Sequence, residues 1–251
     1  MVREGVQSAL LFEDDADWDV MFKDQLYEFA KGARVVQGVK GPQHSPYGDD
    51  WDLLWFGHCG VSLRPADDQA YYIIPNDPTV APLERRYGSR PEIPTTLQSN
   101  SSRYTFRGVA GRCLTGYGLS LRGAQRLLYK ESMTRATSID RGVAGLCSQA
   151  KGDFECVATW PAMVGTFKDA GDVSRDSDRV SVKGEPRKYA STRDVLYPVR
   201  LNIDRFLKKI PKFRPQWTEE GEDLPEISRE TVMPEGHREW VTTNMYPKKE
   251  N

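Results

Sequence analysis

Four carboxylates within five positions, Glu13, Asp14, Asp15 and Asp17, follow directly on the apolar run Ala9-Leu10-Leu11-Phe12. An apolar run that stops this abruptly reads as a short buried strand, and such a strand sets its acids down at its carboxyl end. Carboxylates crowded in this way repel one another unless a cation or ordered amide donors offset them. A hard divalent cation such as Mn²⁺ or Mg²⁺, held by one or two of these side chains and bridging to a diphosphate, is the ligand class that suits them. The plainer alternative is that Asp17 caps a following helix and the other acids face water. An aspartyl-phosphate nucleophile of the Asp-x-Asp kind is excluded. It needs a small, flexible continuation after the second acid, and Asp17 is followed by Trp18-Asp19-Val20.

Strands and helices alternate beyond this point. Trp18, Phe22, Leu26 and Phe29 recur at helical spacing, with Gly32 placed to end the helix. Residues 51–56 read as a second strand closing on Gly57-His58-Cys59-Gly60, and the proline-rich stretch 61–102 as a long excursion with short extended pieces. Extended segments over 104–109 and 112–119 lead to a helix capped by Ser120, whose apolar face is Leu121, Ala124, Leu127 and Leu128. Another helix starts near Ser138 with Asp140 in its first turn, a strand covers 154–159, and residues 165–189 read as loop. The alternation predicts an α/β fold with a mainly parallel sheet flanked by helices and a site at the strands' carboxyl ends. Residues 1–204 form the expected domain, and 205–251, rich in charge and proline, a polar and largely disordered tail.

Composition removes several classes. With 35 basic against 36 acidic residues in 251, there is no electrostatic footprint for nucleic acid. No apolar run approaches the roughly 18–20 residues of a membrane helix, so no membrane segment is expected in this chain. Cys59, Cys113, Cys147 and Cys156 are too scattered for a small disulfide scaffold, and with no C-x-x-C pair and three histidines they do not form a zinc site. Met1–Val6 is too polar and short for the apolar region of a signal peptide. The expectation is therefore either a cytosolic protein or a targeting segment outside this sequence.

Five segments in order, Ala9–Ala16, Trp51–Gly60, Gly116–Leu128, Ile139-Asp140 and Gly171–Asp178, resemble glycosyltransferase family 25. That family includes lipopolysaccharide and collagen β-galactosyltransferases, and the chain is most similar to its fungal branch over about residues 5–180. The resemblance implies a GT-A-like fold, a nucleotide-sugar donor (most often a UDP-sugar), Mn²⁺ (or Mg²⁺) dependence, and inverting transfer of a galactose-type sugar to a hydroxyl of a glycan or protein acceptor. Carried over by residue, it implies Glu13 and Asp15 as metal and diphosphate ligands, Asp14 as a substrate contact, and Asp140 as the base. His58, Asp172, Ser177 and Asp178 are the further expected donors or acceptors to substrate.

The chain departs from the family pattern in two places. Its first residues match the end of the helix that follows the family's first nucleotide-binding strand, so the sheet is expected to be incomplete at the N-terminus. The stretch Gly165–Lys168 also lacks a histidine that could be a third metal ligand. The competing expectations are a non-catalytic remnant that binds metal or glycan without turnover, and a calcium-stabilised interaction module. If an upstream anchor exists, the resemblance implies the Golgi or ER lumen, where Cys147 and Cys156 would pair and Asn100 of Asn100-Ser101-Ser102 would be glycosylated; otherwise the protein is cytoplasmic.

Overall fold

The computed structural model describes residues 1–64, 69–133, 138–149, 153–176, 182–242 and 245. Strands β1 (Ser8–Phe12) and β2 (Ala16–Trp18) flank the acidic turn, and helix α1 (Phe22–Gln37) follows. Next come β3 (Leu53–Gly57), β4 (Ser62–Leu63), β5 (Gln69–Ile74), β6 (Arg103–Val109) and β7 (Gly116–Ser120), then α2 (Leu121–Met133) and α3 (Ile139–Cys147). β8 (Cys156–Trp160), β9 (Val164–Lys168) and β10 (Ser191–Thr192) precede α4 (Val199–Leu207). β11 (Lys212–Phe213), β12 (Ile227–Ser228) and β13 (His237–Val241) complete the order.

An eight-stranded sheet in the order β1-β7-β3-β8-β6-β5-β13, with β4 beside β6, forms the centre. The expectation of an α/β fold with helices on the sheet holds, but the mainly parallel arrangement is corrected. Among the described pairings β3–β8 is the parallel one, and the rest of the sheet is antiparallel. Parallel neighbours need a crossover, usually a helix, and no α-helix is described between β5 and β6 or between β6 and β7.

Alternation along β3 shows how the two faces are filled. Leu53 and Trp55 join the core beneath α2 and α3, with Ala124, Leu127, Val143 and Leu146. Leu54 and Phe56 join the opposite core with Phe29 and Ala33 of α1. Gly32, expected to end α1, instead lies within it. A Cβ there would come within 2.9 Å of Thr105, so the glycine lets the helix seat closely on the sheet. The helix ends at Gly38, whose left-handed φ of 71° lets its amide close on the carbonyls of Arg34 and Val35.

Two more expectations are corrected. The loop expected over 165–189 begins with β9, which pairs with β2 and β10 in a small three-stranded sheet. The expected disordered tail is structured through residue 242. Phe213, Trp217 and Ile227 pack with Met21, Leu196 and Tyr197 in a third core, and β13 closes the sheet against β5. Spaced singly among charges, Phe213, Trp217 and Ile227 gave no periodic signal, yet they share buried partners distant in sequence. None of the described helices is long and apolar enough to cross a membrane.

Candidate functional site

The carboxyl ends of β1, β3 and β8 lie along one edge of the sheet, as the registers Phe12↔Gly116, Gly57↔Gly116 and Trp55↔Ala158 require. β1 delivers Glu13, Asp14 and Asp15 into a turn closed by the Ala16 amide on the Glu13 carbonyl at 3.1 Å. The turn is held on both sides. The Glu13 amide donates to the Thr115 carbonyl at 3.1 Å, and the Phe167 amide to the Asp15 carbonyl at 2.8 Å. The Thr115 and Thr166 hydroxyls meet behind it at 3.3 Å.

Electrostatics mark Glu13 as the centre of the cluster. Partial burial pushes its carboxyl above the usual range, and the charges of Asp15, Asp14 and Asp140 add to that, against a hydrogen bond from the Thr115 side chain. Asp140 reaches the same end of the sheet from α3, through the Cys113 amide that donates to its carboxyl. Burial pushes the Asp140 carboxyl up, but hydrogen bonds from the Ser138 side chain and the amides of Arg141, Cys113 and Asp140 itself outweigh it and hold it below the usual range. Its Oδ1 is enclosed and has no hydrogen-bond partner among the described residues.

Asp140 opens on a groove of about 600 Å³ between the 110–113 loop and α3, lined also by Gly111, Arg112, Arg141, Gly145 and Ser148. The loop is locked in place. Cys113 is bonded to Cys59, the Cys59 amide donates to the Arg112 carbonyl at 2.7 Å, and the Trp55 indole donates to the Cys113 carbonyl at 2.9 Å. Ala110 and Cys113 both adopt positive φ, 50° and 62°, an uncommon conformation for residues with a Cβ. A larger groove, about 880 Å³, opens at the other end of β1 and β7 around Ser8, Tyr47 and Ser120 and carries none of the expected site residues.

The remaining expected residues divide. Asp14 is exposed, and its carbonyl accepts from Arg200 at 3.1 Å. His58 is corrected: it is 5% exposed and not free to meet substrate. Its Nε2 donates to the Thr159 carbonyl at 2.8 Å, and its Nδ1 accepts from the Gly60 amide at 3.2 Å. Both ring nitrogens are thus used, Nε2 in joining the end of β3 to β8 and Nδ1 within the turn after β3, and burial holds the ring's pKa down to about 4. Asp172 is turned into its own loop, accepting the Ser174 amide and hydroxyl, each at 2.8 Å. Ser177 and Asp178 lie outside the described residues. Asp17, the alternative cap, is in β2 and accepts instead from Thr192 Oγ1 at 2.8 Å and the Trp18 amide at 2.9 Å.

Lys168, at the end of β9, is a cation at the acidic turn that the sequence did not single out. It reaches Asp15 Oδ2 at 3.3 Å across 153 residues of chain, and nothing in the local pattern around it points to that pairing. Arg200 behaves alike: it comes from α4, donates to the carbonyls of Asp14 and Ala16, and stacks over Phe167.

A hard divalent cation of the Mg²⁺ or Mn²⁺ kind is the ion whose donor preference the turn's carboxylates share. The donors are carboxylate oxygens, and Asp15 among them is paired with Lys168. Such ions keep several waters and need only one or two protein carboxylates. Among the described residues no set of three acidic, histidine or cysteine side chains is grouped to hold a metal.

Over 140 residues the chain is 28% identical to procollagen galactosyltransferase 1 of Danio rerio. The match takes in 56% of this chain and 17% of that protein's length. No protein-family model and no solved structure matches the chain.

Proposed function

We propose that this chain is a glycosyltransferase-like domain that transfers a galactose-type sugar, with inversion, from a nucleotide-sugar to an acceptor hydroxyl. The observation that carries the reading is the seat of Asp140: in the first turn of α3 it lines the groove beside the 110–113 loop and accepts the Cys113 amide, two residues before Thr115, whose carbonyl holds the Glu13 amide. Similarity to a galactosyltransferase supports the same class.

In this reading Glu13 and Asp15 would hold a divalent cation at the diphosphate end of the donor. When bound, the cation supplies positive charge for the leaving diphosphate. Asp140, kept ionised by its amide and hydroxyl donors, accepts the acceptor's proton as the new bond forms at the anomeric carbon and the bond to the diphosphate breaks. The rigid 110–113 loop and α3 form the groove through which the acceptor reaches Asp140. The two disulfides, Cys59–Cys113 and Cys147–Cys156, fit an oxidising compartment.

Titration calorimetry with UDP, in Mn²⁺ and in chelator, tests the reading together with a radiolabelled UDP-galactose transfer assay. UDP binding that requires Mn²⁺ and is lost in Asp15→Asn is the expected result. Absence of UDP binding under both conditions overturns the proposal, and Mn²⁺-dependent binding without turnover moves the chain to the non-catalytic alternative.

A further inference from the structure

The central sheet has one guarded edge and one open edge. β13 carries His237, Arg238 and Glu239, the kind of charged residues that keep an edge strand from pairing further. β1, at the opposite edge, reads Ser-Ala-Leu-Leu-Phe and carries no charge. Leu10 is 48% exposed there and Phe12 39%. Among the described residues β7 pairs with β1 on one side, and no strand lies on the other.

Register decides which backbone groups are left over. The Leu121 amide donates to the Gln7 carbonyl at 2.8 Å, and the Glu13 amide to the Thr115 carbonyl at 3.1 Å. Hydrogen-bonded positions alternate along an antiparallel pair. Gln7, Ala9, Leu11 and Glu13 therefore face β7, and Ser8, Leu10 and Phe12 turn their amides and carbonyls outward. Leu11 packs on the core beneath α2 and α3, which puts the Leu10 and Phe12 side chains on the α1 face. Phe12 lies there against Trp18 and Phe22, with ring centroids 5.3 and 6.2 Å away. Those two rings open an apolar groove of about 390 Å³ that runs on to Val199, Ile203 and Phe206. Unmet backbone groups and exposed apolar side chains are thus neighbours on one surface.

We propose that β1 is a self-association edge, on which a second copy of this chain docks through its own β1, antiparallel about a two-fold axis at Leu10. The outward residues are symmetric about Leu10. Ser8 of one copy meets Phe12 of the other, Leu10 meets Leu10, and every outward amide and carbonyl of both strands is matched at once. Charge fixes the direction. Arg3 and Glu4 cancel in the segment before the strand, whereas Glu13, Asp14 and Asp15 follow it. The antiparallel pair sets each acidic turn beside the neutral end of the other strand. A parallel pair would set the two acidic turns together, and like charges side by side are destabilising. A five-residue edge with its bordering groove is small beside the roughly 800 Å² per partner of standard interfaces, so the dimer is a weak one that forms as concentration rises. It places Gln7 of each copy alongside Glu13 of the other, at the border of the candidate site. The inference stands on the edge alone and does not depend on what the acidic turn binds.

The test is sedimentation equilibrium on the intact chain from micromolar to millimolar concentration, together with cross-linking and hydrogen exchange. A monomer–dimer equilibrium is expected. Leu10→Lys should weaken it at least about tenfold, since two lysines then face each other across the axis. Trp240→Lys, on the β13 edge, should leave it unchanged. Leu10→Cys treated with a short bis-maleimide should give a covalent dimer, because residue 10 meets its own counterpart, and Trp240→Cys should not. Amide exchange in the wild type, which needs no variant to fold, should slow at Ser8, Leu10 and Phe12 as concentration rises. A chain that stays monomeric throughout overturns the inference. So does a dimer indifferent to Leu10→Lys, or exchange at those amides that does not change with concentration. Assemblies that grow beyond the dimer overturn it as well, since a two-fold pairing uses up the edge.

Discussion

Arg103 donates from Nε to Asp77 Oδ2 at 2.6 Å, with the two side chains 2% and 0% exposed. The same guanidinium donates to the carbonyls of Pro161 and Ala162 and to the Thr79 hydroxyl. One side chain therefore fastens the proline-rich excursion after β5 to the end of β8, beside the edge on which the site is built. Replacing Arg103 by Met leaves Asp77 buried without its partner, and such breaks cost about 3–5 kcal/mol. Urea unfolding should show a loss of that size. The double variant Arg103→Met/Asp77→Leu should lose less than the two single losses combined, because no charge is then stranded.

The two disulfides differ in what they close. Cys59–Cys113 spans 54 residues and Cys147–Cys156 spans 9. In the chain-entropy account the stabilisation grows as the logarithm of the loop, which favours the longer bridge by about 1.6 kcal/mol. Serine pairs at each bridge, compared by thermal and urea unfolding, should rank Cys59/Cys113 as the costlier loss. Loss of that bridge should also loosen the 110–113 loop, read as faster amide exchange at Arg112 and Cys113.

His58 sets a dependence on pH. Its folded pKa is about 4 against an ordinary value near 6.5, so below 6.5 the unfolded chain takes up a proton that the folded chain refuses. Its contribution to stability is complete above about pH 6.5 and falls as the pH drops toward 4. Stability measured from pH 7.5 down to pH 4.5 should fall more steeply in the wild type than in a folded His58→Gln variant. NMR should find the His58 ring neutral at pH 5.5.

Asp140→Asn removes the proposed base while keeping the size of the side chain. Transfer should fall by about 10²–10⁴-fold, the usual worth of a general base. Unfolding free energy should move by less than about 1 kcal/mol, since Asp140 is only partly buried and fills no core position. Mn²⁺-dependent UDP binding should persist, which separates the loss from damage at the acidic turn.

Much of this was legible where the cause is local. The apolar run ending in acids does form a strand and turn, although β1 is an edge strand with Leu10 and Phe12 exposed and not the buried strand expected, and Asp140 falls in the first turn of α3 as the helical spacing requires. Cys147 and Cys156 do pair across their short loop. What stayed hidden depends on partners far along the chain. The order of strands follows from which edges meet, and no local period encodes that β1 lies antiparallel to β7. His58 was misjudged for a related reason. A histidine in a glycine-flanked turn looks available until the strand carrying Thr159 is laid beside it. Gly32 looked like a helix stop because a missing side chain within a helix usually costs stability, and only the neighbouring Thr105 shows what the gap is for.

The pairing of β13 with β5 has a consequence for how the polypeptide is made. β5 is buried along its whole length, yet one of its two sides is matched by residues 237–241, which leave the ribosome long after residues 69–74. Throughout synthesis that side presents unmet amides and carbonyls on an apolar strand, the kind of edge that recruits other chains. A premature stop before His237 would make the exposure permanent. Such a product should fail by clumping rather than by losing any part of the acidic turn, and it would depend on chaperones to stay dispersed.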